Sequence, residues 1–172
     1  MKFLSGMLAG LLLLGLGAAA FVLSGVFDVS ATVHPSKLEK QLAGAALDRS
    51  VARRAPNTSN PVAPSPEVLR AGLAHYRGIC VTCHGAPGVD ASEIGIGLNP
   101  PAPDLTLRKV QRRTDGELFW LVSHGIRMTG MPAFGPTHED EDIWKIVAFL
   151  RHLPEITPEE EKELEAGGAV TH

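Results

Sequence analysis

The chain predicts an all-α fold, on three observations. Leu69, Gly72, Leu73 and Tyr76 recur at i, i+3, i+4 and i+7, one face of a helix. Thr114-Asp115-Gly116-Glu117 spells a capping box in front of Leu118, Phe119, Leu121 and Val122. Ile143, Ile146, Val147 and Leu150 mark a further helical stripe, and no alternating run of strand character appears. A chain of 172 residues with a formal charge of −3 fits one domain of ordinary size plus additional sequence. Its near-neutral balance gives no reason to expect nucleic acid.

Residues 3–27 contain no charged side chain. As a helix that stretch is long enough to cross a hydrocarbon layer of roughly 30 Å with some tilt. Lys2 precedes it and Asp28 follows, so the charge rule puts the N-terminus in the cytoplasm and the remainder on the outer, periplasmic face. A signal peptide cleaved near Gly17-Ala18-Ala19-Ala20 is the rival. The apolar run continues through Phe21, Val22 and Leu23 to Val26, which favours an uncleaved transmembrane anchor over residues 1–28.

Residues 29–65 read as a stalk and linker. Pro35 to Arg54 holds good helix formers, with Leu38, Leu42, Ala45 and Val51 loosely on one side and Arg49, Arg53 and Arg54 near its end. It is expected to pack as a solvated stalk on the following domain, or to dock on a partner or on anionic lipid. Pro56 to Ser65 is proline-rich and polar, hence an expected extended linker. At about 3 Å per residue it would separate stalk and domain by roughly 30 Å.

A domain is expected over residues 66–155. Ser65-Pro66 is a cap followed by proline at the first helical position. Gly72 within the apolar stripe costs stability relative to alanine, and its expected reason is close approach of another helix. At the end of this segment stands Cys80-Val81-Thr82-Cys83-His84, a C-x-x-C-H run. That run is the attachment site of a c-type haem. Two thiols at this spacing reach the two vinyl groups on one edge of the macrocycle and become thioethers. His84 then lies under the ring as the proximal iron ligand. Zinc would want a second pair of ligands, and these are the chain's two cysteines. A thioredoxin-like dithiol would want a βαβ pattern, and the flanks read as helix and loop. Haem attachment also agrees with the outer location, since in bacteria it takes place there.

The second helix starts at the Thr114 box and ends at Gly125. Candidates for a sixth iron ligand downstream are His124, Met128, Met131, His138 and His152. Met131 lies in Thr129-Gly130-Met131-Pro132-Ala133-Phe134-Gly135, a glycine- and proline-bounded loop that can hold a thioether rigidly over the far face of the ring. Thioether sulfur is soft, favours ferrous iron and leaves no site for a substrate. Met131 is therefore the expected ligand, with Met128 and then His124 behind it. The third helix is expected near Thr137-His138-Glu139-Asp140, a looser cap with acids at the positive helix end, and Pro154 stops it. Residues 156–172, rich in glutamate, read as a short exposed helix or frayed end. Arg108, Lys109, Arg112 and Arg113 form a basic cluster that either pairs with haem propionates or a partner or is a solvated turn. Trp120 and Trp144 read as core aromatics.

The stretch from Gly72 to Leu153, about half the chain, resembles a class I cytochrome c. The resemblance rests on Gly72 and Tyr76 ahead of the first haem cysteine, on Asp142-Ile143-Trp144 through Ala148-Phe149-Leu150 in the closing helix, and on the Met-Pro-Ala-Phe loop. It implies a cytochrome c-like domain of three main helices, with the first and last crossing at Gly72. It also implies that a proline carbonyl, here Pro103 of Pro103-Asp104-Leu105, accepts a hydrogen bond from the proximal histidine, which would fix ring orientation and basicity. The anchored single-haem form with a long stalk is similar to membrane-bound bacterial cytochromes and cytochrome subunits of respiratory complexes.

Two functions follow as expectations. One is a membrane-tethered one-electron carrier, not itself an enzyme, passing electrons between respiratory complexes or within one. The other is a haem sensor or catalyst with a labile sixth ligand, which the Met131 loop disfavours because catalytic haems need an open distal site.

Overall fold

The computed structural model describes residues 2–168, and the chain divides into two units, 1–33 and 34–172. The first unit is helix α1, Lys2–Leu23. Phe3–Leu23 carries no charged side chain, has a mean hydropathy of 2.3, and by length and composition is able to cross a membrane.

The second unit is all helical, with no strand among the described residues beyond an isolated bridge between Ala86 and Val89. Its elements are α2 (Lys37–Arg54), α3 (Pro66–His75), a π-turn (Tyr76–Cys80), α4 (Val81–His84), α5 (Glu93–Ile96), α6 (Arg108–Gln111), α7 (Asp115–His124), α8 (Asp140–His152), a 3₁₀ turn (Leu153–Glu155) and α9 (Pro158–Gly168). Ser65 caps α3 by accepting from the Val68 N–H, with Pro66 at the first turn. Thr114 and Glu117 close a reciprocal capping box on α7.

Helices α3 and α8 cross at Gly72. A Cβ there would lie 2.4 Å from the Lys145 carbonyl oxygen and 2.6 Å from Phe149 Cβ, so only glycine lets the backbones meet. Beside the crossing, Tyr76 and Phe149 are fully buried with ring centroids 5.5 Å apart. The Tyr76 hydroxyl donates to the Gly85 carbonyl at 2.6 Å, which ties α3 to the end of the cysteine segment. Gly72→Ala is expected to destabilise the domain by at least about 1–3 kcal/mol through overpacking, although alanine is the better helix former. Denaturant unfolding of the holoprotein checks this, and an unchanged midpoint would contradict it.

Three expectations are corrected. Within the expected Thr137–Asp140 stretch the cap of α8 is Glu139 and not Thr137, because the Thr137 and His138 N–H groups both donate to the Phe134 carbonyl, at 3.0 and 2.9 Å, and close a turn ahead of the helix. The acidic C-terminal segment is not an exposed tail. Leu164 of α9 is fully buried in the main core cluster, Arg77 pairs with Glu163 at 2.9 Å, and α9 packs on the π-turn and α4. The proline-rich stretch from 56 to 65 is not a free spacer either. Val62 packs on the second cluster, and Asn60 bonds to α7 and α8. Of the tryptophans, Trp144 is core and stacks on Phe119 with centroids 4.2 Å apart. Trp120 is half-buried and stacks on His124 instead.

Candidate functional site

The site is assembled where the π-turn and α4 deliver Cys80, Cys83 and His84. The π-turn adds one residue per turn at the end of α3, so the two cysteines follow directly on the Gly72–Tyr76 core face. Gly85, at φ 60°, ends α4 and lets the chain turn away immediately after His84. Gly95 of α5 seats against the same segment, since a Cβ on it would lie 2.8 Å from Cys83 Cα.

His84 Nδ1 lies 2.7 Å from the Pro103 carbonyl oxygen. A carbonyl only accepts, so Nδ1 carries the proton and the Nε2 lone pair is left for a metal. Burial pushes the imidazole toward its neutral form, against the pull of the Pro103 bond, and neutral imidazole is the ligating form. The Pro103 elbow is itself held. Asp104 Oδ1 accepts from the Thr106 N–H at 2.8 Å and from the Thr106 hydroxyl at 2.7 Å, an Asx turn. Gln111 Nε2 donates to the carbonyls of Leu105 at 2.7 Å and Leu150 at 2.9 Å, which pins the loop to α8. Gln111 is absent from the sequence-based reading, because no local pattern marks a glutamine that bridges residues so far apart. Asp104-x-Thr106 carried a legible turn signal.

Cys80 and Cys83 are not joined in a disulfide. Burial, with Cys83 adding to it, pushes the Cys80 thiol up to about 12. A redox dithiol is served by an environment that lowers the thiol pKa, and a structural zinc needs four ligands, whereas no group of three or more His, Cys, Asp or Glu side chains that could hold a metal ion gathers among the described residues. The residues fit haem c: a neutral imidazole with one nitrogen occupied, two adjacent thiols, and an apolar rim. In that rim Ile94 and Ile96, on the helix packed against Cys83, are 68% and 73% exposed, and an apolar macrocycle is the kind of group they would cover.

The candidates for the sixth ligand separate cleanly. His124 donates through Nδ1 to the Trp120 carbonyl at 3.1 Å and stacks on that indole. Met128 is 91% exposed at φ 60°. His138 lies 3.0 Å from the Thr137 hydroxyl and packs against His75 and Phe134. His152 meets the Glu160 carboxylate at 3.0 Å. Of the two methionines, Met131 packs against the main core cluster, which Cys80 and Leu105 also border. Its backbone is held on both sides: its N–H donates to Thr129 Oγ1 at 3.1 Å, and its carbonyl accepts from Ile126 at 3.1 Å. The loop returns onto α7 through Phe134 N–H to Val122 and Gly135 N–H to Ser123. Gly125, at φ 62°, permits this, since a Cβ there would sit 2.5 Å from the Pro132 carbonyl carbon. Of the basic cluster, Arg113 pairs with Asp48, while Arg108, Lys109 and Arg112 are exposed.

Residues 67–150 match the family model described as cytochrome C oxidase, cbb3-type, subunit III. No curated protein matches the chain.

Proposed function

We propose that this chain, whose residues 67–150 are a c-type cytochrome domain, is a membrane-tethered one-electron carrier with His/Met ligation. Its cofactor is a covalently bound haem c with iron, and its role is electron transfer. When bound, that group supplies an iron that cycles between ferric and ferrous states. In this reading the chain's own residues do the rest. Cys80 and Cys83 hold the macrocycle through thioethers, and His84 ligates through Nε2 with its ring orientation fixed by Pro103. Met131 supplies the sixth ligand from a loop whose backbone is already braced, so little reorganisation accompanies a change of charge. The observation that carries the reading is the contrast among the five candidates: four have other partners or face solvent, and Met131 borders the core cluster shared with Cys80.

The apolar helix Phe3–Leu23 is compatible with anchoring. With Lys2 before it and Asp28 after it, the haem domain would stand on the periplasmic side. The partners would be redox proteins of the respiratory chain, or the other subunits of an oxidase that this domain serves. The optical spectrum of the holoprotein with and without carbon monoxide tests the ligation: a low-spin haem inert to the gas is expected, and ready gas binding by the wild type would overturn it.

A further inference from the structure

We propose that residues 55–65 are a strap that fastens the haem domain to its own stalk helix and takes that length out of the tether. The inference rests on the membrane-tethered reading for its consequence, and on the following contacts for its existence.

The strap joins two elements that already touch. Val51 of α2 is fully buried, α2 packs on α7, and Asp48 pairs with Arg113 ahead of α7. From Ala55 the chain passes over the first turn of α7. A Cβ on Gly116 would lie 1.9 Å from the Pro56 carbonyl oxygen, so the strap lies against bare helix backbone there. Asn60 is the buckle. Its N–H donates to Asp115 Oδ2 at 3.0 Å, its Nδ2 donates to the Trp144 carbonyl at 2.8 Å, and its Oδ1 accepts from the Val62 N–H at 2.9 Å. Asp115 is fixed from the other side. Arg151 reaches its Oδ1 through both Nε and Nη2, at 2.8 and 2.7 Å, while also donating to the Gln111 and Arg113 carbonyls. One carboxylate thus links the strap to α8, with Oδ2 on the strap and Oδ1 on Arg151, and such charge-assisted bonds are stronger than neutral ones.

The ten residues 56–65, extended at about 3 Å each, would lengthen the reach of the domain by roughly 30 Å. Fastened, they contribute nothing to it, and the tether between anchor and haem domain reduces to the segment between α1 and α2. A shorter tether raises the effective concentration toward partners near the membrane surface and removes distant ones. The chain then works as a relay for neighbours in the same membrane and not as a long swinging arm.

The test is limited digestion by proteinase K of the full-length holoprotein in phospholipid vesicles, scored by cutting within 56–65. Gly116→Ala makes the signs oppose: helix propensity favours alanine, while its Cβ meets the strap backbone. Cutting is expected to be at least tenfold faster in Gly116→Ala and several-fold faster in Asn60→Ala, with the haem spectrum unchanged. Gly44→Ala, where a Cβ meets nothing within 4 Å, is expected to cut like wild type. Equal rates in wild type, Gly116→Ala and Asn60→Ala would overturn the strap. Haem protein found in the supernatant before protease is added would instead overturn the anchor alone.

Discussion

Replacing both cysteines of the attachment run is expected to give a protein that no longer keeps its haem through denaturation. Cys80→Ala leaves only the Cys83 bond, and Cys83→Ala only that of Cys80, so each single variant should keep its haem through one thioether with a shifted band, and only the double variant should lose it on extraction of the unfolded chain. The physical reason is that coordination by His84 and packing survive only while the chain is folded, whereas a thioether does not depend on folding. Pyridine haemochrome spectra of the extracted protein check this, because the band position reports how many vinyl groups have been consumed. Haem retained after extraction of the double variant, or an unshifted band in both single variants, would sink the attachment assignment. The Cys80 site has a second consequence. Its thiol is half-buried and its pKa is pushed up by that burial, so in the haem-free chain alkylating reagents are expected to react slowly there until the chain unfolds.

Met131→Ala is expected to keep haem attached and to change what the iron does. With the thioether gone, the reduced protein should bind carbon monoxide and lose the far-red absorption of a methionine–iron bond. The midpoint potential should fall by on the order of 0.1 V or more, a modest share of the roughly 0.8 V that axial ligation spans. The surrounding loop should persist, since Thr129, Gly125 and the return bonds to Val122 and Ser123 do not involve the side chain. Met128→Ala is the internal control. Its side chain is exposed, and its loss should move neither spectrum nor potential. An unchanged spectrum in Met131→Ala would exclude that residue as ligand.

The haem c cofactor was legible because the chemistry of a C-x-x-C-H run is local: five consecutive residues offer two thiols and an imidazole, and no tertiary information is needed. The α3–α8 crossing was legible for a related reason. A glycine inside an apolar helical stripe is costly unless something comes close, and Lys145 and Phe149 do. Where reading failed, a nonlocal contact outweighed a local signal. Thr137 looks like a cap, but its N–H and that of His138 donate to the Phe134 carbonyl, which places it in a turn before the helix. Leu164 stands almost alone among glutamates, so no periodicity marks α9 as buried. Its start was nevertheless written in Thr157-Pro158-Glu159-Glu160, where the Thr157 N–H bonds Glu160 at 2.7 Å and the Glu160 N–H bonds Thr157 Oγ1 at 3.2 Å. Asn60 among prolines reads as turn chemistry, and only the folded α7 and α8 give its amide and backbone N–H their partners.

The central claim is that His84 and Met131 both ligate the iron, which makes the chain a carrier. The most direct measurement is the optical spectrum of the purified full-length protein, oxidised and reduced, before and after adding carbon monoxide. The account predicts a low-spin haem with the far-red methionine–iron band when oxidised, and no change on adding the gas when reduced. A reduced spectrum that shifts promptly with the gas would contradict it and make the iron an accessible binding or catalytic centre.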